Sequence, residues 1–210
     1  ATAGAVNPDN GHYVFGGMRD SGSNVYFMLR EINVDPDSPY FGEENFLGRV
    51  QVPGGSEGGE ITFDESGNLY VVTQTSNELT LTTINKAGLD QGRIDNAALA
   101  SYSDWPTILP STSSTGTGTS SYAGGTITGA AIGVNGALYV STDTRVLQVD
   151  PTTGGAVLDP VFTDPYTGTN SAMTGLASCK ANSVTTLTVQ KDLQANEPNT
   201  KEFTLTVKDL

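Results

Sequence analysis

The densest group of oxygen ligands in the chain is Asp35-Pro36-Asp37-Ser38-Pro39-Tyr40-Phe41-Gly42-Glu43-Glu44, where Asp35, Asp37, Glu43 and Glu44 offer four carboxylates on one turn-rich stretch. Calcium takes about six to eight oxygens, often from carboxylates close in sequence, so this stretch is a calcium candidate. Its spacing is not that of an EF-hand, and a solvated loop on an acidic protein accounts for the same residues. His12 is the only histidine. A serine-type triad needs a histidine between a nucleophile and a carboxylate, whereas His12 sits where a turn meets a strand. One His and one Cys cannot supply the usual ligand set for zinc. The sole cysteine, Cys179, is either a small buried residue or one half of a bridge to another chain or to a cysteine outside this sequence. The only tryptophan, Trp105, stands with Tyr102 and Tyr122 around the Ser/Thr tract 111–121. Their rings could frame a surface for a sugar or a peptide; the alternative is a Trp that packs an insertion. The tract itself reads as a flexible or O-glycosylated surface loop.

The elements that must position these residues are strands and turns. Of 210 residues, 25 are Gly, 10 Pro and 28 Thr, and only 16% are charged, a composition that favours strands and turns over helices. Ten basic residues against 23 acidic leave a net charge of −13, which argues against a nucleic-acid partner held through phosphates. No apolar run approaches the roughly 18 residues of a membrane-crossing helix. The strand-like run Phe203–Leu210 reaches the last residue without a closing turn, so the chain reads as a segment of something longer.

One phrase occurs three times. It is clearest as GGEITFDESGNLYV at 58–71, again as TGAAIGVNGALYV at 128–140, and in shorter form as TAGAVNPDNGHYV at 2–14. Each has a small-residue opening, a brief apolar run, a polar turn ending in Gly (Gly11, Gly67, Gly136), and then Tyr13-Val14, Leu69-Tyr70-Val71 or Leu138-Tyr139-Val140. That describes two strands around a tight turn, with Gly supplying positive φ. A third strand follows each phrase (Val25–Val34, Leu79–Ile84, Arg145–Val149) and ends in an Asp- or Asn-led turn at Asp35, Asn85 and Asp150. A fourth strand is readable at Phe46–Val52 and more faintly around Ala156–Phe162. The one helical candidate is Asp90–Ser101, one or two turns long.

Four strands per repeated unit is the habit of β-propeller blades. The expectation is therefore all-β: a partial propeller of about three four-stranded blades over 1–179, too few to close a ring by themselves. After Cys179 the pattern changes. Ser183–Leu193 and Phe203–Val207 alternate at period two around the loop 194–200, which reads as the first strands of an Ig-like sandwich over 183–210.

Phrases such as FDESGNLYV and VNGALYVSTDTRVLQVDPTTG resemble blades of bacterial propellers of the NHL or YVTN-like kind. The junction TGLASCKANSVTTLTVQKDLQANEPNTKEFTLTV is similar to large surface proteins of Gram-positive bacteria, especially actinobacteria, in which a propeller-like head precedes prealbumin-like or pilin-type Ig-like stalk domains. The resemblance implies an exported protein at the cell surface or cell wall. It also implies a role for Lys191, which stands where pilin-type domains place the lysine of an intramolecular Lys–Asn isopeptide bond; a solvated lysine is the alternative. Lactonase-type propellers hold a metal with Glu, Asn and Asp of their inner strands, whereas the corresponding strands here offer Asn7, Glu60, Thr62 and Gly133, with no consistent acidic position.

The function expected is non-catalytic: a surface recognition or adhesion module that meets a protein or carbohydrate through the loops 101–127 and 35–45. No organic cofactor is expected, and calcium is the one ion with candidate ligands. Two alternatives stand beside it, a spacer or subunit of a surface fibre that self-associates by strand pairing, and a metal-dependent propeller hydrolase.

Overall fold

Three short turns set the architecture. In the computed structural model, which describes residues 2–163 apart from 57, 76–77, 102, 118–125, 134–135, 144 and 151–156, Asp64 N–H donates to Asn68 O at 3.0 Å and Gly67 N–H to Asp64 O at 3.1 Å. Gly133, Gly136 and Ala137 repeat this pair of bonds, each at 2.9 Å. The first turn is one residue longer: Asn7 N–H donates to His12 O and Gly11 N–H to Asn7 O. His12 thus takes the place held by Asn68 and Ala137 in the other turns. Gly11, Gly67 and Gly136 have φ of 72°, 79° and 74°, a region that L side chains rarely enter.

Each turn joins the first two strands of a sheet. The first sheet contains β1 (Thr2–Val6), β2 (Tyr13–Ser21), β3 (Asn24–Ile32) and β4 (Glu44–Val52). The second contains β5 (Gly58–Phe63), β6 (Leu69–Gln74), β7 (Glu78–Ile84) and, after the helix α1 (Lys86–Asp95), β8 (Thr112–Thr117). The third contains β9 (Ile127–Ile132), β10 (Leu138–Thr142), β11 (Arg145–Val149) and β12 (Val157–Thr163). In all three the strands lie in chain order and pair antiparallel. The described residues are mostly β, with one short helix and no closed barrel.

The sheets bury one another's faces. Phe27, Leu29, Leu47 and Val50 of the first sheet share a core with Ile61, Phe63, Leu69, Val71 and Ile84 of the second. Tyr70, Val72, Leu79 and Leu81, on the opposite face of that second sheet, share another core with Ala130, Leu138, Val140 and Leu147 of the third. All six residues of β6 are buried, which is why Leu-Tyr-Val-Val carries no apolar/polar alternation. The first strands of the sheets are neighbours, β1 beside β5 and β5 beside β9.

Two expectations are corrected. The run from Asn85 is the start of a helix, not a turn, and the helix ends at Asp95 instead of reaching Ser101. Asn85 Oδ1 accepts from Gly88 N–H at 2.7 Å, an N-cap. Two glycines depress helix propensity, but Gly92 lies so close to β4 that a Cβ there would stand 2.1 Å from Leu47 O. The Ser/Thr tract is not wholly a loop. Its residues Thr112–Thr117 form β8, in register with β7 from Thr83↔Thr112 to Glu78↔Thr117. β-Branched Thr suits an outer strand, and Thr82 Oγ1 and Ser113 Oγ share a hydrogen bond at 2.9 Å across the pair. The proposed Ig-like segment 183–210 lies outside the described residues.

Candidate functional site

Along β3, Phe27 and Leu29 face the first core, so Tyr26 and Met28 face away from it. Arg19 on β2 is opposite Tyr26, and Arg49 on β4 is opposite Met28, which places both arginines on that outer face. Trp105 arrives from the segment that follows α1. Its ring meets Tyr26 edge-on, with centroids 5.8 Å apart at 74°. The Arg19 guanidinium lies 4.2 Å from the indole centroid, and that of Arg49 lies 4.8 Å from the indole and 4.4 Å from the Tyr26 ring. Trp105 nevertheless keeps 38% of its surface exposed.

A polar anchor holds Trp105 there. Asn96, buried just after α1, donates through Nδ2 to Leu47 O, Gly92 O and Thr107 Oγ1 at 2.7–3.1 Å and accepts from Thr107 N–H at 2.9 Å. Arg49 N–H then donates to Thr107 O and Leu109 N–H to Arg49 O, in a short parallel bridge along β4. Leu109 ends in the first core. A segment from the second unit thereby covers part of the outer strand of the first sheet and lays Trp105 across its face.

The electrostatics of this face differ from those of the chain. Three of the ten basic residues, Arg19, Arg30 and Arg49, lie on it. Arg30 pairs with Glu44 and lies 3.9 Å from the Phe46 ring centroid. Arg49 has no carboxylate within 4.0 Å among the described residues, and its Nε is buried without an acceptor. Gln51, next along the same face, donates to Asn24 at 3.2 Å on an exposed edge.

The other candidates are dispersed. Asp35 Oδ1 accepts from Asp37 N–H at 3.0 Å, Asn33 Oδ1 accepts from Asp35 N–H at 2.9 Å, and Glu44 is taken by Arg30. Among the described residues no three His, Cys, Asp or Glu side chains gather as a metal-binding group. Tyr40 and Phe41 in the same loop are each 60% exposed. Asp64 holds its turn together by accepting from the N–H groups of Ser66 and Asn68, from Asn68 Nδ2 and from the Tyr70 hydroxyl. Burial, reinforced by Asp64, pushes that hydroxyl up to about 12. Asn7 and Thr62 are buried, and burial pushes the Glu60 carboxyl up to about 7. Tyr102, Tyr122, Cys179 and Lys191 lie outside the described residues. Among those described, no helix is long and apolar enough to cross a membrane.

Sequence reasoning missed Glu31, which has no exposed surface and receives two parallel bonds from Arg93, Nε to Oε1 at 2.5 Å and Nη2 to Oε2 at 2.9 Å. His12 Nδ1 lies 3.4 Å from the same carboxylate. The signal was present, since Glu31 continues the core-facing series Phe27, Leu29 at period two. Comparison with protein-family models, with curated proteins and with solved structures yields no match.

Proposed function

We propose that this chain is part of the propeller-like head of an exported surface protein and that it works by binding, not by catalysis. In this reading the three sheets are consecutive blades, with β1, β5 and β9 the inner strands and further blades completing the ring. Residues 183–210 begin an Ig-like stalk, and the whole is displayed at the cell surface or wall. Face-to-face stacking of successive four-stranded sheets supports the blade reading.

The observation that carries the binding role is Trp105. A large aromatic ring on an insertion is held by a buried asparagine and a backbone bridge, yet remains partly open to solvent between two arginines. Trp and Arg with a rigid support are the usual anchors of recognition surfaces. The partner is a protein or a carbohydrate outside the cell. The test is to probe glycan and peptide arrays with the labelled 210-residue chain and with Trp105→Ala, after checking that both have the same far-UV circular dichroism. Binding by the parent chain that the variant loses supports the reading. No binding, or binding that Trp105→Ala leaves intact, overturns it. Polymers by light scattering without any array ligand would favour the fibre spacer.

A further inference from the structure

We propose that the ligand of this face is an acidic polysaccharide, with Arg49 receiving the carboxylate of a uronate residue beside Trp105 and Tyr26. The inference rests on the recognition reading and goes further by naming the chemistry. It starts from an imbalance. On a chain with 23 acidic residues, an arginine is expected to have found a carboxylate, as Arg30 and Arg93 have. Arg49 has none among the described residues; its charge rests against two rings. Rings attract a cation but offer its N–H groups no lone pair in the guanidinium plane. The buried Nε therefore lacks an acceptor, a state that native structures seldom leave unexplained. A carboxylate arriving from solvent does not reach that buried atom; it meets the Nη end of this half-buried side chain, where a guanidinium donates to both of its oxygens at once.

The surroundings favour a sugar acid over an acidic peptide. Peptides commonly bind a sheet by adding a strand to an open edge. Beside Arg49 that edge is closed, since both its N–H and its C=O are bonded to the Thr107–Leu109 segment. What remains is a face with an exposed indole and the Asn24–Gln51 amide pair, suited to a pyranose with its apolar C–H face, hydroxyls and single carboxylate. The −13 charge of the chain repels a polyanion at long range, but at physiological salt that repulsion fades beyond about 8 Å, leaving Arg49 to decide.

Trp105 is the only tryptophan, so fluorescence excited at the red edge of the indole band, beyond tyrosine absorption, reports this face alone. The full chain is titrated with oligogalacturonate, oligoguluronate and a glucuronate-containing glycosaminoglycan, with carboxyl-reduced versions of each, and with poly-glutamate. A saturable fluorescence change is expected with at least one uronate chain and not with its reduced form. Arg49→Gln should weaken it about tenfold or more; Arg49→Lys, which keeps the charge and loses the fork, should weaken it as well and serves if the first variant does not fold. Equal binding of a reduced sugar, tighter binding of poly-glutamate, an unchanged response in the arginine variants, or no response to any uronate chain overturns the proposal. If the arrays meanwhile yield a Trp105-dependent ligand that is neutral or a protein, the recognition reading stands and only the ligand class falls.

Discussion

A carboxylate with no exposed surface persists in the first core because Arg93 reaches it with two parallel hydrogen bonds. Removing one partner of such a pair strands the other without water. Arg93→Met should therefore cost about 3 kcal/mol in urea unfolding at pH 7; a loss below about 1 kcal/mol would place the pair among weak surface bridges. Glu60 gives a pH signature. Burial raises its carboxyl from the ordinary 4.5 to about 7, so between those values the folded chain holds a proton that the unfolded chain has released. The contribution of Glu60 to stability is therefore fully present below about pH 4.5 and is lost as pH rises through about 7. Glu60→Gln, which cannot ionise, should raise Tm at pH 8 by roughly 3 °C and leave it nearly unchanged at pH 4. Equal shifts at both pH values would refute the assignment. Glu31 was legible in the alternation of β3; its partner was not, because Arg93 lies 62 residues away on a helix.

The helix shows how an element can be set by what it packs against. Its own propensity is poor, with Gly88 and Gly92 inside ten residues. On an isolated helix Gly92→Ala would help by about 1 kcal/mol. Here the added Cβ would meet Leu47 O and the Leu109 side chain, and lifting α1 from β4 also disturbs Asn96, the anchor of the Trp105 segment. The expected outcome is a net loss of about 2 kcal/mol with a red-shifted, more quenchable Trp105 emission. A stabilised variant with unchanged emission would show that the close approach does not matter. The N-cap at Asn85 could have been read from Asn followed by a Leu-containing run, but its Gly and its place after a strand pointed to a turn. In β8 the Ser/Thr composition hid a strand whose order comes from the register that β7 offers it.

Across the whole molecule the second sheet belongs to two cores at once, so disruption of one core should be felt in the other. Leu138 lies fully buried in the third sheet and Trp105 on the first. Leu138→Ala should lower the unfolding free energy reported by Trp105 fluorescence by about 2–5 kcal/mol. Sheets that melted independently would leave the Trp105 transition in place. Charge also works at this scale: a chain of net charge −13 gathers three of its ten basic residues on one face of the first sheet, a contrast that no count of charges reveals.

What the sequence by itself determined was local. Three glycine turns, the strands on either side of them and the meander order of each unit follow from the steric demand for positive φ and from side chains that alternate along extended backbone. Tertiary structure decided which faces met. It drew Glu31 to Arg93, carried a Ser/Thr tract to the edge of β7, and laid Trp105 over the arginines of another sheet, because such pairings depend on the fit between surfaces distant along the chain and leave little trace in the order of residues at either one.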